Sequence, residues 1–278
     1  MHDVDMETDK RMKVDSGTNQ SVERAAAVLS AFTTGLDRLR VGDVSALAGL
    51  GQSTTSRLLA TLEQLEYVER DPQTGLYGLG PALVTLGGAA LNQYAVHREA
   101  RQRAQDLAHN LGLGVNVALR RGASIFYICN FEGSNAPRSY TLVGQGNPLH
   151  ATGIGKCLLL GLDAAERRKL LPELPPFTPS TIADHGRLDA ELERIGANGY
   201  ATEREELALA RSCVAAPIRD RTRQIVAAIS ISGPLSTIDL DHREDELAQV
   251  VIEAADSISV GLGYPGPVHT AFRPTTLR

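Results

Sequence analysis

Tryptophan is absent from this chain and aromatic residues make up only 4% of it, which argues against a surface built to stack exposed bases. Cysteine is scarce too. Cys129, Cys157 and Cys213 form an odd set with no Cys-x-x-Cys pair, so neither a disulfide framework nor a zinc knuckle is indicated. No run approaches the ~20 apolar residues of a membrane-spanning helix, and the polar segment 1–18 is unlike a signal peptide. A cytoplasmic location is expected, with no membrane partner, metal or cofactor. An excess of positive charge is also missing: the net charge is −5, whereas a DNA-binding protein is first sought by its basic residues. What is present is an ordinary globular composition, 42% hydrophobic and 22% charged, over a length that suggests about two domains.

The segment 1–18 has no periodicity and reads as a disordered tail. From Ser21, a plausible N-cap, apolar residues recur at helical steps through Phe32, with Gly35 as a stop. A second short helix covers Val41–Ala48, with Val44, Leu47 and Ala48 on one face, and Gly49-Leu50-Gly51 breaks it. A third runs from about Ser53 to Leu65. "YVER", "DPQTG" and "LYGL" then read as two short strands around a turn holding Pro72 and Gly75. Three helices followed by a hairpin is the plan of a winged helix-turn-helix over residues 19–80. Residues 81–111 read as one long helical connector, polar on one side and packed on a partner chain. Residues 112–263 interleave alternating strands ("GVNVAL", "SIFYICNF", "SCVAAPI", "QIVAAISIS") with helices, which points to an α+β domain on a mostly antiparallel sheet. The four prolines of "LPELPPFTPS" exclude helix and inner strand there, and 264–278 reads as a loose tail.

Placed at 100° per residue, Leu58, Leu62 and Leu65 of the third helix share a side, flanked by Leu59 and joined by Thr55. Ser53, Ser56, Arg57 and Gln64 lie opposite, with Thr54 at the boundary. The helix start thus exposes hydroxyls and one arginine. Between Gly51 and Leu62 the only charged residue is Arg57, so the acidity of the whole chain says little about this face. Arginine can grip guanine O6 and N7, and free N–H groups at a helix start favour a phosphate. On the helix alone, an N-capping Ser53 followed by a solvated face explains the pattern as well. The preceding helix, the glycine turn and the following hairpin tip the balance to DNA.

An enzyme is the competing class. "GIGKC" fails as a phosphate loop twice, because His150 and Cys157 stand where glycine and Ser or Thr are needed. His150 with Cys157 or Cys213 could sketch a nucleophile and base, or with both a zinc site. The spacing fits no ligand motif, and a hydrogen-bonded structural histidine is the simpler reading. Cys129, in an apolar strand, reads as core. A ligand sensor of the GAF type, or an enzyme without operator binding, is the alternative function.

Four segments in order, "SVERAAAVLSAF", "STTSRLLATLEQLEYVERDPQTGLYGLG", "LHATGIGKCLLL" and "CVAAPIRDRTRQIVAAISISGP", resemble the IclR family of bacterial transcription regulators. The likeness runs from about Ser21 to Gly261. It implies an N-terminal winged helix-turn-helix, a linker helix used in dimerisation, and a C-terminal GAF/PAS-like antiparallel-sheet effector domain. It also implies a repressor that binds double-stranded operator DNA as a homodimer or dimer of dimers, under the control of a small molecule, here a carboxylate or aromatic acid. On the DNA side the resemblance and the helix face together single out Gln52, Ser53, Thr54, Ser56 and Arg57. On the effector side it carries over Gly153 and Ile154 of the "HAT-x-x-GK" segment, Glu203, Cys213, Ser230 and Ser232, with backbone N–H groups after Thr152 available to a carboxylate. One departure stands out. Many members have a Pro-Lys pair where this chain has Gly51-Gln52, so a phosphate-seeking lysine gives way to a neutral amide, and lower non-specific affinity is expected.

Overall fold

The structure, a computed structural model, describes residues 19–33, 35, 36, 38–135 and 141–266. The segment 1–18 and most of the expected C-terminal tail lie outside the described residues. The chain divides between Ala90 and Leu91 into two compact units.

The first unit contains α1 (Gln20–Ser30), α2 (Val41–Ala48) and α3 (Gln52–Gln64), then the antiparallel pair β1 (Val68–Arg70) and β2 (Tyr77–Leu79). Asn19, rather than Ser21, caps α1, its side chain accepting from the Ser21 N–H at 3.1 Å. The helix ends well before Gly35, passing into a 3₁₀ turn at Ala31–Thr33. Gly49 ends α2 in the left-handed region at φ +64°, which glycine enters without a Cβ clash. Val28, Val44, Leu59, Leu62 and Tyr77 meet in the core. Each fully buried aliphatic side chain there contributes about 1.5–3 kcal/mol.

Two expected contacts fail. Leu65 is 55% exposed, because α3 closes at Gln64 and Leu65 leaves the helical path; Leu59, expected only to flank, is the fully buried residue. Leu47 is half exposed, and Ser45 occupies the buried place on α2 instead, its hydroxyl donating to the Leu50 carbonyl. The hairpin also gains an addition that the sequence pattern does not announce. Leu39 and Tyr77 exchange both backbone hydrogen bonds at 2.9 Å, giving the wing a third strand-like partner.

The expected continuous connector is two helices, α4 (Pro81–Gln93) and α5 (Ala95–Leu111). Tyr94 between them is extended (φ −79°, ψ 112°), and its N–H bonds back to Leu91 in a tight turn. The Arg98 guanidinium caps the freed Asn92 carbonyl. No residue of α4 is buried.

The second unit is built on β3 (Gly114–Arg121), β4 (Ser124–Phe131), β5 (Ala201–Arg204), β6 (Arg211–Arg219) and β7 (Ile225–Pro234). They form an antiparallel sheet in the order β4-β3-β7-β6-β5. Its helices are α6 (Gly153–Leu159), α7 (Ala164–Leu170), α8 (His185–Asn198), α9 (Leu235–Ile238) and α10 (Leu240–Gly261). On one face, Ala100, Ala104 and Ala108 of α5 and Val251 and Ile258 of α10 pack against Val117 and Ile229. The four-residue alanine spacing lets α5 approach the sheet closely. On the other face, Ile154 and Leu158 of α6 and Leu188 and Leu192 of α8 pack over Ala118, Ala215 and Ala228. Small residues on this face leave space, and the cavity described below lies there.

Along β7 the alternation holds from Ala227 to Ser232 and fails at its start. Ala227 pairs with Ile218 and Ile225 with Arg219, so Val226 is an extra residue on this strand. Val226 therefore joins Ala227 on the α5/α10 face and Ile225 joins the α6/α8 face, so strict alternation does not extend over the whole of "QIVAAISIS".

Candidate functional site

Gly51 is the N-cap of α3 and makes no side-chain capping bond, so Ser53 is a first-turn residue rather than a cap. Thr55 turns inward, fully buried, with its hydroxyl donating to the Gly51 carbonyl at 3.1 Å. Gln52, Ser53, Ser56 and Arg57 are exposed and Thr54 is half-buried. The first turn holds no acidic residue, and a helix start with uncapped N–H groups attracts anions. The wing turn is tied together by Asp71. Its carboxylate accepts from the N–H groups of Thr74 and Gln73, which hold it below the usual carboxylate range. Arg70 lies 5.6 Å from the centre of the Tyr77 ring.

In the second unit, Gly153, Ile154, Glu203, Cys213, Ser230 and Ser232 all line one cavity of about 210 Å³. Strand register explains their convergence. Glu203 pairs with Cys213, Cys213 with Ser232, and Ser232 with Gly114, one rung across four strands. The next rung on the same face is Ala201, Ala215, Ser230, Asn116 and Asn130. Gly153, Cys213, Ser230 and Ser232 give the cavity small side chains, and Asn116, Glu203 and Arg211 give it longer polar ones. A cavity below the 300–1,000 Å³ common for drug-sized ligands suits a small metabolite.

Gly153 is required where it stands. A β-carbon there would lie 2.8 Å from the Cys213 sulfur and 3.2 Å from the Ala215 methyl. Burial, with Glu203 nearby, pushes the Cys213 thiol well above its ordinary range, so it packs as a thiol.

Glu203 is 7% exposed. One carboxyl oxygen accepts from the N–H groups of Glu206 (2.6 Å) and Leu207 (3.3 Å). Burial outweighs these donors and raises the carboxyl to about 7. Behind it, the fully buried Lys156 donates to Glu206 at 2.6 Å, the Thr202 carbonyl at 2.7 Å and Glu191 at 3.4 Å. Burial raises Glu206 despite the Lys156 charge that lowers it. Burial works the same way on Glu191, yet its hydrogen bond to Arg194 and the charges of Lys156 and Arg194 hold that carboxyl below its usual range. The three ammonium donors tie α6, which carries Gly153 and Ile154, to α8 and the segment after β5.

Asn116, Tyr127, Asn147 and Arg211 also line the cavity, and none was a sequence expectation. Asn116 and Tyr127 sit within strands whose apolar alternation gives the stronger signal. Only the cross-strand register brings them to Ser230 and Ser232.

The thiol-enzyme geometry is not assembled. His150 is 2% exposed, with its Nε2 3.0 Å from the Pro175 carbonyl and its ring 5.8 Å from that of Phe177. Burial pushes Cys157 and Cys129 up to about 12, and both are core residues. Among the described residues no cluster of three or more His, Cys, Asp or Glu side chains could hold a metal, and no helix is long and apolar enough to cross a membrane.

Two family models match the chain: "IclR helix-turn-helix domain" over residues 21–72 and "Bacterial transcriptional regulator IclR C-terminal" over 88–260. The HTH-type transcriptional regulator XynR of Escherichia coli is 33% identical over 248 residues, covering 88% of this chain and 98% of the relative. The HTH-type transcriptional repressor AllR of Salmonella typhi is 34% identical over 255 residues, covering 90% and 92%. An IclR homologue of Microbacterium hydrocarbonoxydans, solved with 4-hydroxybenzoate, shares the fold with a TM-score of 0.74 at 22% identity, over 87% of this chain and 99% of that one. With a helix-turn-helix at one end and an antiparallel-sheet domain at the other, both matched in order, this chain belongs to the IclR family of bacterial transcription regulators and acts on DNA rather than as an enzyme.

Proposed function

We propose that this regulator is a repressor whose hold on its operator is released or strengthened by a small carboxylate or aromatic acid bound among Gly153, Ile154, Glu203, Cys213, Ser230 and Ser232. The observation that carries the reading is the meeting of all six in one small cavity, with the Ser230 and Ser232 hydroxyls in its wall beside Gly153. The structural neighbour that binds 4-hydroxybenzoate makes an aromatic acid a natural first candidate alongside smaller acids.

In the same proposal, residues 19–80 form the DNA-binding part, 81–111 the connector and 112–263 the effector part. Gln52, Ser53, Thr54, Ser56 and Arg57 meet the major groove, and the wing turn 71–77 meets the adjacent backbone. The protein acts in the cytoplasm as a homodimer or a dimer of dimers on a roughly palindromic site, with the connector in the subunit contact. The linkage of the two sites is reciprocal, so DNA changes effector affinity by the same factor.

A gel shift on the DNA upstream of the protein's own gene, at low salt and with a panel of acids, tests this. A sequence-specific shift that one or more acids alter is expected. A specific shift that no acid changes, with no acid binding the protein, overturns the effector assignment.

A further inference from the structure

The hydrogen bonds around Ser232 run in one direction, and a backbone group fixes that direction. The Leu142 N–H can only donate, and it donates to the Asn130 side-chain oxygen at 3.2 Å. The Asn130 amide nitrogen must therefore face Asn116, and it donates to the Asn116 oxygen at 2.8 Å. That leaves the Asn116 nitrogen to donate to the Ser232 hydroxyl oxygen at 3.1 Å. Ser232 Oγ is thus an acceptor towards the protein, and among the described residues nothing accepts its own proton.

Tyr127 is set in the same sense: the Asn147 amide donates to its phenolic oxygen at 3.2 Å, and no described residue accepts from it. Leu142 and Asn147 belong to the segment 141–147, which lies along β4. There the Tyr127 N–H donates to the Gln145 carbonyl, the Gly144 N–H to the Tyr127 carbonyl, and the Ile125 N–H to the Asn147 carbonyl. Two cavity hydroxyls thus each accept one hydrogen bond from the protein and keep their protons for a ligand.

We infer that the Leu142–Asn130–Asn116–Ser232 relay and the Asn147–Tyr127 pair set the specificity of this cavity: they present two hydroxyl donors to a ligand acceptor and favour a carboxylate or carbonyl over an ammonium group at that end. Asn116 and Asn130 are positioning residues. Asn130 does not line the cavity and reaches Ser232 through Asn116. The inference rests on the effector reading above and deepens it.

The relay predicts an unusual outcome for Asn130→Asp, a nearly isosteric change outside the cavity. The Leu142 N–H keeps its acceptor, but the other oxygen now faces Asn116, whose amide must turn its nitrogen to meet it. The Asn116 oxygen then faces Ser232, which spends its proton there and offers the ligand a lone pair.

The experiment is calorimetric titration of the full chain with small aliphatic and aromatic carboxylic acids, 4-hydroxybenzoate among them. It compares wild type, Asn130→Asp, Ser232→Ala and the double variant. For any acid that binds, each single change should weaken binding by about tenfold or more, as loss of one hydrogen bond to a charged group does. In the Ser232→Ala background, Asn130→Asp should weaken binding much less than it does in the wild type, leaving only the repulsion of the added carboxylate. Equal weakening in both backgrounds, or none in either, overturns the relay while leaving the effector cavity standing. Absence of binding by every acid to the wild type overturns the effector reading and the relay with it. Asn130→Ala, which frees Asn116 to rotate, takes the place of Asn130→Asp in the same comparison if the charged variant does not fold by circular dichroism.

Discussion

Glu203→Gln isolates the electrostatic cost of building an acid into the cavity wall. In the folded chain the Glu203 carboxyl titrates at about 7 instead of its ordinary 4.5, because burial outweighs the two N–H donors on one oxygen. Between those two values the folded form binds more protons at this site than the unfolded chain does. The site's contribution therefore falls as pH rises from 4.5 to about 7 and is level above that. Moving the midpoint that far corresponds to about 3 kcal/mol. Glutamine keeps an acceptor oxygen for the Glu206 and Leu207 N–H groups and cannot ionise. Other groups titrate in both proteins, so the quantity to follow is the difference between them. Urea unfolding monitored by far-UV circular dichroism suits a chain without tryptophan. The variant should gain about 3 kcal/mol on the wild type between about pH 4.5 and pH 8. Parallel stability profiles would refute the argument that burial dominates at Glu203. The same proton bears on ligands: an anion in the cavity favours protonated Glu203, so its affinity should fall as pH rises through about 7 in the wild type but not in the variant.

Lys156→Met strips the counter-charge from Glu206 and Glu191 and should cost about 3–5 kcal/mol, read as a lower Tm, with part restored by adding Glu206→Gln. Arg57→Ala should weaken specific operator binding by about 1–3 kcal/mol and relax the preference at one base position. Fluorescence anisotropy on single-base operator variants checks this, and a uniform loss on every sequence would make Arg57 a phosphate contact. Ser230→Ala combined with Ser232→Ala should abolish the effector response in a gel shift while operator affinity stays unchanged. An unaltered response would place the effector elsewhere.

How much of this was legible in the sequence depends on the range of the interaction concerned. Helices α1 to α3 and the hairpin show themselves through local period and turn residues, as does the alternation that puts Ser230 and Ser232 on one face. The winged helix-turn-helix and the antiparallel-sheet domain could accordingly be named from the chain alone. The misses are local events without a local signal. The helix break at Tyr94 has neither glycine nor proline beside it, and Val226 is inserted by a register slip with β6 that no residue type announces. Leu65 follows the leucine period but lies one residue beyond the helix end. Asn116 was invisible for another reason. Its bond to Ser232 spans 116 positions of sequence and exists only because β3 pairs with β7. Tyr127 sits in the alternating strand "SIFYICNF" without a signal of its own, and its place beside Asn147 depends on the segment that runs back along β4.

The most direct test of the account is the coupling between cavity and operator. With the acid that most raises the Tm of the wild-type protein, operator affinity is measured by anisotropy with and without that acid. Acid affinity is then measured by calorimetry with and without operator. The account predicts that both affinities change by one common factor, and that this factor returns to unity in the Ser230→Ala, Ser232→Ala double variant. An acid that binds the cavity equally well with and without operator, and leaves operator affinity unchanged, would contradict it.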